Sequence, residues 1–231
     1  SILLIFGISN KSNVLYPWNE YDSVTDTMKA AYNYDYNCQS SKFNPKTMYK
    51  EKCVYPKGSI PDALLIGDSN AAHYIGMIHE FSDHLGFSIR NVSQSSCPLL
   101  FGGEIKWVAK RYSRGCSTYR STISKEFSKY NTIIIGGRWT SYDKKKSRKE
   151  FRSRFAETLS IIASETNKVI ILGKVPIFRG FNKQCDVKAI RLKELNCSER
   201  YNRVDSDHNV NQYLRQLAEQ YENVDFFDVR E

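Results

Sequence analysis

The run most suited to chemistry is Leu64-Leu65-Ile66-Gly67-Asp68-Ser69-Asn70, an apolar stretch that ends in Gly-Asp-Ser and leads into helical spacing. Such a turn sets Ser69 where a helix begins, and the first N–H groups of a helix lack intrahelical acceptors. They would face a negative oxygen forming beside the serine hydroxyl, which is half of an oxyanion hole. The chemistry this points to is nucleophilic attack by serine; the plain alternative is a serine that only caps the helix. A serine nucleophile needs a base, usually a histidine oriented by a carboxylate. The chain has four histidines, His73, His79, His84 and His208. His73 falls four residues after Ser69, on the same helix face, and is a candidate base or a structural histidine beside the site. His208 closes an Asp-x-x-His run with Asp205 and is the other candidate, with Asp205 as its orienter. Asp68 is expected to shape the loop through hydrogen bonds.

These residues need a frame to hold them. Short continuous apolar runs occur at Ala63–Ile66, Phe87–Val92, Thr132–Ile135, Val169–Leu172 and Val224–Phe227. Runs apolar on both faces suit strands buried on both sides, as in a parallel sheet. Between most of them lie stretches with helical spacing: Ala71–Leu85, Cys116–Tyr130, Ser147–Thr166 and Asp207–Tyr221. The alternation predicts an α/β fold, a three-layer α/β/α sandwich of flavodoxin-like type with about five parallel strands. Residues 10–60 are polar and rich in Tyr, Asn, Ser and Lys. Residues 1–60 therefore read as an irregular linking segment, and 61–231 as the domain.

Gly67-Asp68-Ser69 after a buried strand, with His73 beyond it, resembles the first block of the SGNH/GDSL hydrolase superfamily. Cys97-Pro98-Leu99, Cys116 before a helix, and Gly137-Arg138-Trp139-Thr140-Ser141-Tyr142 narrow the resemblance to one branch. That branch comprises extracytoplasmic SGNH domains fused to bacterial membrane acyltransferases that O-acylate surface polysaccharides. The resemblance implies Ser69 as nucleophile, with oxyanion or substrate contacts at Ser95, Ser96, Arg138 and Trp139. The usual block-two glycine is not evident in Ser93-Gln94-Ser95-Ser96, and Arg138-Trp139 stands where an asparagine is usual. Arg138 would serve as an always-protonated donor, or else be structural with Trp139 in the core. The family's Asp-x-x-His follows the last strand, whereas Asp205 and His208 precede the helix Asn209–Tyr221 and the strand Val224–Phe227. The catalytic pair is accordingly expected beyond residue 231, in a domain truncated at its C-terminus. Ser1–Ile8 is expected to be the end of a membrane helix or a strand.

The implied function is O-acylation, commonly O-acetylation, of a cell-surface polysaccharide. The acyl group would come from a membrane domain of the same protein, without a bound cofactor or metal. An esterase acting on acylated glycans is the alternative, or a domain that binds a glycan or partner without catalysis. The expected place is the periplasm, tethered to the inner membrane.

Composition agrees with an extracytoplasmic domain. The 231 residues carry 34 Lys+Arg against 25 Asp+Glu, a net charge of +9, and include 12 Phe and 15 Tyr. That aromatic content excludes a disordered chain. Part of the charge is local, since Lys144, Lys145, Lys146, Arg148, Lys149, Arg152 and Arg154 face only Asp143 and Glu150. No nucleic-acid module accompanies them, so nucleic acid is not an expected partner and a solvated helix face is. The six cysteines form no C-x-x-C pair. They fall into sequential couples, Cys38–Cys53, Cys97–Cys116 and Cys185–Cys197, each around a polar stretch. As disulfides they require an oxidising compartment; free thiols in a reducing one are the alternative.

Overall fold

A computed structural model describes residues 33–175 and 208–229, with the short pieces 177–179, 185, 188–189, 192, 195–197 and 202–204. The chain divides into two units, Ala31–Pro176 with Asp205–Glu231, and Ser1–Ala30 with Ile177–Val204. Ser1–Ile8 and Asp205 lie outside the described residues.

In the larger unit, seven strands form one sheet: β1 (Gln39–Ser40), β2 (Val54–Tyr55), β3 (Ala63–Gly67), β4 (Ile89–Gln94), β5 (Thr132–Gly136), β6 (Lys168–Leu172) and β9 (Val224–Phe227). Their order is β1-β4-β3-β5-β6-β9, all parallel, with β2 antiparallel to β4. The five strands expected from the apolar runs are all present. The described part of the expected linking segment differs from expectation, because β1 and β2 join the sheet. The Cys38–Cys53 disulfide, with Cα atoms 5.4 Å apart, holds them against β4. Cys97–Cys116 is the second disulfide of this unit. The smaller unit shows an antiparallel pair, β7 (Ile177–Arg179) with β8 (Asn202–Val204), and the disulfide Cys185–Cys197. All three pairings are those expected from the sequence.

The alternation of side chains along each strand divides the core into two layers. Leu64, Ile66, Ile133 and Ile135 face one way, toward α3 (Lys110–Ile123), the short α4 (Trp139–Tyr142), α5 (Arg148–Glu165) and α6 (His208–Ala218). Ala63, Leu65 and Ile134 face the other, toward α1 (Ser69–Ala72) and α2 (Ile75–Leu85). Helix α5 is held by Phe151, Phe155, Leu159 and Ile162, all fully buried and spaced along one face. Each such side chain contributes roughly 1.5–3 kcal/mol by leaving water.

Two helices depart from their expected extents. The stretch Ala71–Leu85 breaks at His73-Tyr74, where Tyr74 N–H donates to Ala71 O in a tighter turn and the Tyr74 hydroxyl donates to Gly173 O at 2.9 Å. That anchor re-aims α2. Helix α3 starts at Lys110 rather than Cys116, because its first turns are polar and show no apolar period. The basic segment is also more ordered than a solvated face. Asp143, buried, takes two hydrogen bonds from Arg152 at 2.8 Å each and an ion pair from Arg148 at 3.3 Å. Arg154 pairs with Glu150 at 3.0 Å and donates to the carbonyls of Phe101 through Glu104. Three of its arginines thus fasten loops.

The sheet is closest-packed beside Ser69. Gly67 lies in register between Ser93 and Gly136 and has φ 137°, a backbone that side chains rarely adopt. A Cβ on Gly67 would stand 1.8 Å from Gly136 O. Because the obstacle is backbone, relief requires the strands to part. Gly67→Ala is expected to cost more than about 3 kcal/mol, read as a lower urea midpoint at unchanged m. A midpoint equal to wild type would show that the contact is not a constraint.

Candidate active site

Strands β3 and β5 are neighbours, yet the chain leaves β3 toward β4 on one side and β5 toward β6 on the other. Their carboxyl ends therefore border the crevice at which open α/β sheets bind ligands. Ser69 follows β3 and Arg138 follows β5, so the topology brings these two expected site residues to one place. Ser95 and Ser96 follow β4, on the other flank of Gly67.

Asp68 organises the crevice. It is 1% exposed, and its Oδ1 accepts Asn70 N–H at 2.6 Å while Oδ2 accepts Arg138 N–H at 2.9 Å and the Tyr142 hydroxyl. Asp68 is thus the N-cap of α1 and ties it to the turn after β5. Ser69 is not the cap. It occupies the first helical position, half-buried, and its hydroxyl has no hydrogen-bond partner among the described residues. Burial pushes the Asp68 carboxyl above its ordinary range, opposed by the donors from Tyr142, Arg138 and Asn70. Burial also holds the Tyr142 hydroxyl far above its usual value, so it stays a donor.

The other expected residues sort clearly. Arg138 is exposed at the crevice, and it forms no ion pair among the described residues. The Ser95 amide donates to Ser40 O at 2.7 Å and its hydroxyl accepts from Gln39 Nε2 at 3.0 Å, so Ser95 is occupied in holding β1. Ser96 is exposed and has φ 55°, the one positive value at a non-glycine among the described residues. Of the two places expected for Trp139, a site contact or the core, its side chain takes the core. Its ring is buried against Phe155 at 5.1 Å, and its Nε1 donates to Leu172 O at 2.7 Å. His208 opens α6, ahead of β9, and its side chain lies outside the described residues.

His73 ends α1 on the open side of the crevice. Partial burial of its ring lowers its pKa, Lys174 lowers it further, and Asp68 acts in the opposite sense. Lys174 was not singled out from the sequence. It is buried just past β6, its Nζ donates to Val175 O at 2.9 Å, and its amide donates to Asn211 Oδ1 at 3.1 Å. Asn211 in turn donates to Asp228 Oδ2 at 2.8 Å, so a buried polar chain links the carboxyl ends of β6 and β9. Tyr119, from α3, reaches the other side: its hydroxyl accepts Gly67 N–H and donates to Val92 O, each at 2.9 Å. The one sequence signal for Lys174 was a polar residue and Gly173 directly after a buried run. Nothing local marked Tyr119 or Asn211, and Tyr142 appeared only as the last residue of the motif after the third strand.

This geometry defines a class, the SGNH hydrolase-like α/β fold with a serine presented after the first central strand. The family model described as "SGNH domain (fused to AT3 domains)" matches residues 37–231, and the chain belongs to that family. No curated protein matches it significantly in sequence. Among solved structures, it is similar to the periplasmic domain of a lipopolysaccharide acetyltransferase from Salmonella ser. Paratyphi A. That match has 14% identity and a TM-score of 0.57, over 95% of this chain and 80% of that one. A catalytic mutant of an acetylxylan esterase from Geobacillus stearothermophilus is more distant, with 13% identity and a TM-score of 0.41 over 73% and 76% of the two chains. The family assignment supports acyl-related enzyme chemistry.

Two outcomes follow from the site's electrostatics. Asp68→Asn places an amide N–H₂ among donors and is expected to cost about 1–3 kcal/mol, measured by urea unfolding. Unchanged stability would mean the three donors find other acceptors. An NMR titration of His73 is expected to give a pKa below the ordinary ~6.5, moving upward in Lys174→Met because a repelling positive charge is removed. A His73 pKa above 6.5 in wild type would contradict the placement of Lys174.

Proposed function

We propose that this domain transfers an acyl group, acetyl foremost, through Ser69 to a hydroxyl of a cell-surface polysaccharide. The observation that carries this reading is the unpartnered Ser69 hydroxyl at the topological switch point, freed because Asp68 caps the helix in its place. In the first step Ser69 Oγ attacks the carbonyl carbon of the acyl donor. The serine proton passes to a base and then to the departing donor group, leaving an acyl-serine ester. In the second step a sugar hydroxyl attacks that ester, its proton goes to the base, and Ser69 is regenerated with the proton returned.

The base is expected to be the histidine of the family's Asp-x-x-His. His73 is the alternative within the described residues, and its lowered pKa favours the neutral, proton-accepting form near pH 7. Donors for the oxyanion are proposed to be the Ser69 amide, which as the first of α1 lacks an intrahelical acceptor, the Ser96 amide, and the Arg138 guanidinium. The family's fusion to AT3 domains supports a membrane domain as the acyl supplier. The three disulfides support an oxidising, periplasmic setting beside the inner membrane. Water in place of the sugar would give the esterase reaction by the same steps.

The test is acetyl release from p-nitrophenyl acetate, and acetyl transfer to polysaccharide, by the full-length protein and its Ser69→Ala variant. Loss of a serine nucleophile is expected to lower both rates by about 10³-fold or more. Equal rates in the two proteins would overturn the assignment and leave a glycan- or partner-binding domain as the better reading.

A further inference from the structure

Helix α3 and the loop 103–108 line a half-open cavity of about 390 Å³, and none of its lining residues belongs to the crevice at Ser69. Its floor holds an unusual charge. Arg120 lines the cavity and is 9% exposed, and among the described residues its one hydrogen bond runs from Nη2 to Gly103 O at 2.8 Å. Its Nε–H is buried with no acceptor, and no carboxylate pairs with it among the described residues. Arg154 donates to the same Gly103 carbonyl from the other side, so two guanidinium groups meet there while only Arg154 has an acidic partner. Burial first, and Arg154 second, push the Arg120 pKa down to about 10. A buried cation with an unused donor is costly unless an anion completes it.

The rim points to the kind of anion. Arg114 lines the cavity, is exposed, and forms no ion pair among the described residues, while Glu104 is the only acidic side chain there. Ser113, Ser117 and Thr118 line the helix side, where the Ser113 and Thr118 hydroxyls donate to the Lys110 and Arg114 carbonyls and keep their lone pairs as acceptors, and Ile105 and Val108 supply an apolar wall. Guanidinium forks match carboxylate and phosphate oxygens, hydroxyls match sugar hydroxyls, and an apolar wall suits the C–H face of a pyranose. The volume is at the lower end for ligand pockets and suits one sugar residue.

We propose that this cavity binds a single acidic sugar residue, one bearing a carboxylate or phosphate, at a site separate from Ser69. The anion half stands on Arg120 and Arg114; the sugar half rests on the polysaccharide reading above. The bound residue would anchor the polymer on α3 while another residue is presented for acylation.

The test is isothermal calorimetry and saturation-transfer NMR on the full-length protein with glucuronate, glucose 1-phosphate, glucose and inorganic phosphate. Both charged sugars are expected to bind, glucose to show no saturation, and inorganic phosphate to bind more weakly than glucose 1-phosphate. Arg120→Lys and Arg114→Gln are each expected to weaken the charged sugars about tenfold, the effect of losing one charge-assisted hydrogen-bonded contact. Arg114 is exposed, so its variant should fold even if Arg120→Lys does not. Ser69→Ala should bind like wild type, which separates failure of this site from failure of the nucleophile. Absence of binding by either charged sugar overturns the proposal. So does glucose binding equally well, inorganic phosphate binding as tightly as glucose 1-phosphate, or unchanged affinity in Arg114→Gln.

Discussion

The crevice depends on one buried carboxylate. Asp68 accepts hydrogen bonds from the start of α1 and from the Arg138 amide and Tyr142 hydroxyl after β5, two segments that the chain separates widely. An ionised carboxylate can accept several donors at once, and burial strengthens each bond while making any unmade one expensive. The consequence reaches the chemistry. Capping is performed by the residue before the serine, so the serine hydroxyl remains available. A helix with Ser69 as its own cap would have tied that oxygen to an amide.

Close packing of backbone reinforces the carboxylate. Gly67 and Gly136 let the ends of β3 and β5 meet without side chains between them, and Ala71 of α1 seats against Gly136. Tyr119 sends its hydroxyl from α3 into the β3–β4 edge and completes the hydrogen bonding of Gly67. Trp139 follows from the same compactness. With Leu172 O as acceptor for its indole N–H, its large ring fills the core directly beneath the turn that presents Arg138. One residue of that pair faces solvent and the other closes the interior, although the sequence placed them side by side as site residues.

Charge is distributed by the same rule of completed partners. The basic run from Lys144 to Arg154 reads in sequence as a solvated face, yet Asp143 binds two of its arginines and the carbonyls of the 101–104 loop bind a third. These contacts give the long connection after β4 much of its order, together with the Cys97–Cys116 bridge. Arg120 stands out against that background because its charge is buried without a carboxylate among the described residues.

The central strands, the alternation with helices, the disulfide couples and the position of Ser69 after a buried strand were all legible in the sequence. Each is a local pattern, set by hydrophobic period or by spacing within a few residues. Asp68 as acceptor for Arg138 and Tyr142, the break at Tyr74 and the Lys174–Asn211–Asp228 chain were not. Each depends on which distant atoms complete a hydrogen bond, and no local pattern in a single sequence encodes that. Sequence alone therefore determined that a serine would stand at the end of a central strand. Only tertiary structure decided that its hydroxyl would be free, because the competing acceptor and the donors it satisfies come together only when β3 and β5 lie side by side.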